Sequence, residues 1–286
     1  MKKNITIYLL LALACLGLQS CLFQEENYFD DSSANRATAD VNRCGELLKA
    51  APNGWVMEYY VGKDYSLGGI TLLCRFDGQR VTMASQMAEA DETVSSLYSV
   101  KSEQATMLSF DTYNYLVHYF GQPQGSMSDD PNGTLGGDYE FIISSASAER
   151  IELKGKKYGN RIVMKALTED QTWKQYLTKI KKVEYDAFFY EYDLLMDGLY
   201  TGQMLRSNYT FIVTYYDEIG KVHQKTVPFM FTADGMRFHE PVTIDGQTMQ
   251  NFVWKNELIS FVCTDEGATG IKLAGVYTAG YQSYDY

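Results

Sequence analysis

Apolar residues recur along the chain from Ala34 through Ala37, Val41, Cys44 and Leu48 to Ala51. Spacings of three and four place them on one helix face. Pro52 disfavours helix at the residue before it, and Asn53-Gly54 is turn chemistry, so this helix ends there and a strand opens at Trp55. From that point the period drops to two. Strands are predicted over 55–60, 70–76, 80–85, 96–100, 106–110, 138–144, 150–154 and 161–165, with Asp77-Gly78-Gln79 and residues 155–159 as hairpin turns. Thr168-Glu169-Asp170-Gln171 reads as a capping box. It predicts a helix whose apolar face carries Trp173, Leu177, Ile180 and Val183. A second strand-rich stretch begins near Tyr200. Residues 209–215 and 221–231 flank a turn at 217–220, and Ala233-Asp234-Gly235, Ile244-Asp245-Gly246 and Trp254-Lys255-Asn256 mark further turns. Pro228 inside a strand run predicts an edge or a bulge. Residues 186–198 fit neither period.

These elements predict a mostly β (β-rich α+β) fold of curved or packed antiparallel sheets, with an N-terminal helix and a mid-chain helix. Both halves hold a long hairpin followed by short strands. That leaves two related β halves open, although no residue-level repeat accompanies it. The expected segments are 33–167 for the N-terminal helix and first β-rich half, 168–198 for a helical connector, and 199–286 for the second β-rich half.

The N-terminus carries an address. Lys2 and Lys3 precede an apolar run from Ile5 to Leu18, shorter than the roughly 20 residues a membrane-spanning helix needs. A positive start, a short apolar run and a small residue describe a secretory signal. Leu18-Gln19-Ser20-Cys21 resembles the lipobox of bacterial lipoproteins. In that family the cysteine thiol takes a diacylglyceryl group and the chain is cut just before it. The resemblance therefore implies a signal peptide over 1–20 and lipidation at Cys21. Glu25-Glu26 and Asp30-Asp31 make residues 21–32 an acidic tether, which resembles the surface-export signal of Bacteroidota lipoproteins. The expected location is the cell envelope, on the outer membrane and exposed at the cell surface, with the membrane contacted through the acyl anchor.

Charge narrows the partners. The chain carries a net charge of −11, and loss of residues 1–20 removes two lysines and no acid, taking it to −13. Such a chain repels phosphate backbones, so nucleic acid is not an expected partner. The 23 tyrosines and 14 phenylalanines suit strands. Cys44, Cys74 and Cys263 each fall on an apolar face and read as small buried thiols; a disulfide between two of them in an oxidising envelope stays open.

Candidate chemistry is sparse. No nucleophile elbow, phosphate loop or zinc-protease helix is present, so no catalytic residue and no cofactor is expected. His118, His223 and His239 are far apart in sequence, and no metal site is expected from them. Ser128, Asp130, Asn132 and Gly133 approach the pattern of a calcium loop, but Tyr139 stands where a bidentate Glu is needed; the Gly121–Gly137 stretch reads as a surface loop. Asp111, Tyr113, Asn114, Tyr115 and Tyr119 form the candidate ligand site. Aromatic faces stack on sugar rings, and the carboxylate and amide can take hydroxyl hydrogen bonds. The alternative is that these rings, with Phe120, belong to the core.

Several stretches together carry a wider resemblance: LLKAAPNGWVMEYY at 47–60, LSFDTYNYL at 108–116, GGDYEFII at 136–143, IELKGKKYGNRIVM at 151–164 and PFMFTADGMRF at 228–238. In this order they resemble the Bacteroidota lipoprotein family known as domain of unknown function 4302. The family carries no established activity, so the resemblance implies an envelope lipoprotein near a polysaccharide- or nutrient-uptake system and nothing catalytic. The expected function is non-catalytic ligand binding, with glycan as the first ligand class. The alternatives are a lipid-binding β module, a structural partner of an outer-membrane transporter, and an unrecognised hydrolase. Serine offers no thiol for the thioether, so Cys21→Ser should abolish incorporation of a palmitate analogue. Label retained on the variant refutes the lipoprotein assignment.

Overall fold

The computed structural model describes residues 32–124, 133–217 and 219–277. The chain divides into two units, residues 1–38 and 39–286, and all the described strands belong to the second. Cys21, the acids of the tether, and Asp130 and Asn132 lie outside the described residues.

The described strands form two closed antiparallel barrels of eight strands each. The first comprises β1 (Trp55–Val61), β2 (Gly68–Phe76), β3 (Arg80–Ser85), β4 (Val94–Ser102), β5 (Thr106–Phe110), β6 (Glu140–Ala146), β7 (Arg150–Gly155) and β8 (Arg161–Ala166). Each strand pairs with the next, and β8 returns to β1 with Ala166 opposite Trp55. The second comprises β9 (Glu191–Met196), β10 (Leu199–Ser207), β11 (Thr210–Tyr216), β12 (Val222–Phe231), β13 (Gly235–Ile244), β14 (Gln247–Lys255), β15 (Ser260–Cys263) and β16 (Ile271–Gly275). Here β16 returns to β9, with Ile271 opposite Met196. The two β halves thus repeat one topology. Because β9 lies inside the segment expected as a helical connector, the strands of the second barrel start at Glu191 rather than at 199.

Alternation along the strands fills each barrel with side chains. In the first, Trp55, Met57, Tyr59, Leu72, Cys74, Met83, Phe110, Phe141 and Met164 are buried together. In the second, Tyr192, Leu194, Phe211, Phe229, Phe231, Phe238, Phe261 and Leu273 are. Both interiors are packed cores, as expected for barrels of this strand number. Cys44, Cys74 and Cys263 are buried free thiols.

Helix α1 (Ser33–Lys49) ends against the first barrel where β1 begins. Leu48 is buried there, and its carbonyl oxygen accepts a 2.8 Å hydrogen bond from Trp55 Nε1. Arg43 reaches the Ala146 carbonyl and Thr106 Oγ1 donates to Asp40, so this part of the helix is tied to two hairpin ends. The other end is closed by α2 (Tyr115–His118), which buries Leu116 and Val117.

Helix α3 (Trp173–Asp186) joins the barrels. Its N-cap is Thr172, with a capping box from Thr172 to Gln175 rather than from Thr168 to Gln171. The same spacing of Thr and Gln occurs twice in succession; the second frame starts the helix at Trp173 and places Leu177, Ile180 and Val183 in the core. Residues 168–171 form instead a loop whose Thr168 and Gln171 carbonyls accept hydrogen bonds from Asn53 Nδ2. The apolar face of α3 packs in one cluster with Val56, Leu73 and Ala84 from the outer face of the first barrel and with the core of the second.

The barrels also touch directly. Glu58 on β1 is paired with Lys165 of its own barrel at 2.7 Å and with Arg237 of the other. Removing one member of such a buried group strands the remaining charge. Gly68, at φ 69°, passes so close to Tyr209 that a Cβ would lie 2.1 Å from the Tyr209 carbonyl oxygen, so no side chain fits. His239 lies against Tyr60 and Tyr65, with ring centroids at 4.3 and 4.0 Å. Pro228 finds its place on β12, which pairs with β13 only over Phe229–Phe231. A missing N–H at residue 228 therefore interrupts no ladder on that side.

Two measurements test this construction. Trp55→Ala removes a fully buried ring from the first core and should cost about 3–5 kcal/mol in chemical denaturation; a loss under about 1 kcal/mol contradicts the packing. The seam should also respond to acid. Burial is the chief cause holding the His239 imidazole below its ordinary value; Arg237 and Arg161 add to this, while Glu240 and Glu58 oppose it. The unfolded chain therefore binds a proton first, so stability is complete above the unfolded pKa of about 6.5 and is lost as pH falls through it. Melting temperature should drop more between pH 7.5 and 5.5 in the native chain than in His239→Gln. Equal drops would contradict the assignment.

Candidate functional site

Helix α2 and the described residues beside it, between β5 and β6, close one end of the first barrel, and the site residues expected from the sequence lie there. Asn114 is the N-cap of α2: its Oδ1 accepts from Leu116 N–H at 3.1 Å and its Nδ2 donates to Ser96 Oγ at 3.3 Å. It is fully buried and holds the helix, so the expectation that it contacts ligand is corrected. Local chemistry explains the change, since Asn at an N-cap satisfies an otherwise orphaned amide.

Leu116, Val117 and Phe120 point into the barrel end, and the remaining positions face outward. Tyr113 is 64% exposed and Tyr119 39%. Tyr115 is half-buried, and its hydroxyl donates to Glu92 at 2.5 Å. That hydrogen bond is the main reason its pKa is pushed up to about 12. Asp111 is exposed, with Oδ1 accepting from Ser99 Oγ at 3.2 Å. Tyr113, Tyr119 and Asp111 are therefore open to solvent, Tyr115 partly so, and Phe120 is core.

Two further groups join them. The imidazole of His118 stacks on Tyr139 with centroids 4.6 Å apart and lies 5.6 Å from the ring of Tyr113. Tyr139 is 42% exposed. In the sequence it stands out only as the residue in place of a calcium ligand; its position at the foot of β6, just after Gly136-Gly137, is the available signal. Beside it is a hollow of about 110 Å³ lined by Gly121, Gly137, Asp138, Tyr139, Glu140, Lys156 and Lys157. Glu140 is ion-paired with Lys101 and Lys156. Burial pushes the Asp138 carboxyl up, against the pull of the Lys157 and Tyr158 amides that it accepts. Three exposed phenol rings, one imidazole and a rim of charged and amide groups thus share one rigid barrel end. This arrangement can stack on a ring face and hydrogen-bond hydroxyls.

The other histidines stand elsewhere: His223 contacts Asp217 at 2.8 Å, and His239 lies in the seam. Among the described residues no three of His, Cys, Asp and Glu come together as a metal site, and no described helix is long and apolar enough to cross a membrane.

Among curated proteins none matches the chain. The family model described as "Domain of unknown function (DUF4302)" matches residues 25–256, a span that takes in the whole first barrel and β9 to β14 of the second. The chain is therefore a member of the DUF4302 family.

Proposed function

We propose that this protein is a lipid-anchored envelope protein of the outer-membrane surface that binds glycan without transforming it. The observation that supports this reading is the set of exposed rings, Tyr113, Tyr119 and Tyr139, on the closed end of the first barrel. Stacking needs an open ring face held in place, and loops on a rigid scaffold supply such faces. Polar groups stand near the rings: Gln122 Oε1 accepts from Tyr113 Oη at 3.2 Å, and Asp111, two residues before Tyr113, is exposed. The filled barrel interiors speak against the lipid-module alternative, which needs an apolar cavity.

A second reading, docking to an outer-membrane transporter, draws on a different surface. Tyr185, Phe188, Tyr190 and Tyr277 are exposed where α3 meets the second barrel. Exposed apolar groups in such number mark interaction surfaces more often than chance.

Tyr113→Ala tests the glycan reading. It removes an exposed ring, so the melting temperature should move little, while affinity for a glycan identified on an array should fall by about two- to tenfold, as expected for lost stacking of about 0.5–1.5 kcal/mol. Unchanged affinity in Tyr113→Ala and Tyr139→Ala would remove the support for this site.

A further inference from the structure

We propose a second binding site, for a neutral sugar unit, in the cleft between the outer face of the first barrel and the first turn of α3. The cleft measures about 530 Å³, within the roughly 300–1,000 Å³ typical of small-molecule sites. Its ligand class is read from its own lining, so it stands or falls apart from the ring patch at the barrel end.

Three pieces of chain build it. The outward positions Arg75, Thr82 and Ala84 of β2 and β3 form the floor. Thr172–Gln175 form one wall, and Ala90, Asp91 and Thr93 of the β3–β4 connection form the other. Lys174 and Asp91 are bridged at 2.8 Å, both largely exposed. The Trp173 ring is fixed from two sides. Its Nε1 donates to the Asn53 carbonyl at 2.7 Å. Gly54, at φ 79°, lets it lie close, because a Cβ there would be 3.0 Å from Cζ2 of the indole and 2.6 Å from the Cys74 carbonyl oxygen. The guanidinium of Arg75 stands 5.4 Å over the ring, and no ion pair holds it among the described residues. An oriented indole with a planar five-donor group stacked over it is a pre-organised contact surface, which lowers the ordering cost of binding.

The lining selects the ligand by exclusion. An apolar ligand would strand the hydroxyls of Thr82 and Thr93 and the guanidinium donors of Arg75. An anionic ligand would meet Asp91, Glu169 and Asp170 against only Arg75 and Lys174. A neutral polyol satisfies both conditions: its C–H groups lie against the stacked indole and guanidinium, and its hydroxyls meet the threonines, the guanidinium donors and the carboxylates.

The test is titration of the purified full chain with neutral hexaoses of glucose, mannose, galactose and N-acetylglucosamine, and with hexagalacturonate, read by tryptophan emission and by calorimetry. The ring patch contains no tryptophan, Trp55 is fully buried and Trp254 lies on the second barrel, so the titration is repeated in Trp254→Phe, where an emission change reports the cleft. At least one neutral hexaose should change the emission saturably. Arg75→Ala, an exposed substitution, should weaken that binding about tenfold without moving the melting temperature, as expected for a lost hydrogen bond to a charged group. Thr82→Arg, which fills the floor, should abolish it. Absence of any emission change across the neutral panel, binding of hexagalacturonate alone, or full affinity in Thr82→Arg overturns the proposal. Calorimetric binding that survives Thr82→Arg but is lost in Tyr113→Ala overturns it while leaving the ring-patch reading standing.

Discussion

Every strand in this protein needs a partner on both sides, and in each half the first and last strands find that partner in each other. Closure at β1–β8 and β9–β16 is the constraint on which the remaining structure depends. A sheet of this width that closes on itself leaves an interior only wide enough for side chains. Aromatic residues fill both interiors, so the two proposed ligand sites lie outside them: at the barrel end covered by α2, and on the outer wall beside α3. Function, on this reading, belongs to what lies on the barrels.

The same constraint explains what α1 and α3 are for. Closure leaves each barrel with two open ends, and apolar side chains there need cover. Leu48 with the Trp55 hydrogen bond covers one end of the first barrel; Leu116, Val117 and Phe120 cover the other. The second barrel uses the chain leaving α3. The Ala187 carbonyl accepts from Tyr192 and Arg206, and the Arg206 guanidinium lies 5.0 Å over Phe231. A cation at the end of a helix is favourably placed for its exposed carbonyls, so one arginine both ends α3 and lids the barrel.

Local features of this architecture are legible in the sequence; non-local ones are not. Alternation and turn chemistry predict most of the strands, and the apolar stripes predict both long helices, because period and turn propensity are properties of neighbouring residues. Closure joins residues as distant as Trp55 and Ala166, and no local pattern encodes it. The capping box shows the limit from the other side: two successive Thr–Gln frames are equally good locally, and packing of Trp173 against Gly54 and Asn53 selects the second. At the candidate site, the sequence indicates the exposed tyrosines, but it does not show that Asn114 turns inward to cap a helix or that Tyr139 stacks on His118. Nor does it show the α3 cleft, whose walls come from segments that are distant along the chain. Those are contacts across space, set only once the barrel is closed.

The short pairing between β12 and β13 has a consequence for crowding. Over residues 222–228 β12 has a ladder partner on one side only among the described residues, which makes this stretch the kind of place where a neighbouring molecule could add a strand. The sequence there is Val-His-Gln-Lys-Thr-Val-Pro. Lys225 places a charge on any incoming strand, and Pro228 offers no amide to it; both are means by which exposed sheet edges resist pairing. Two closed barrels, with this open flank blunted in such a way, are suited to standing densely side by side without fusing into a common sheet.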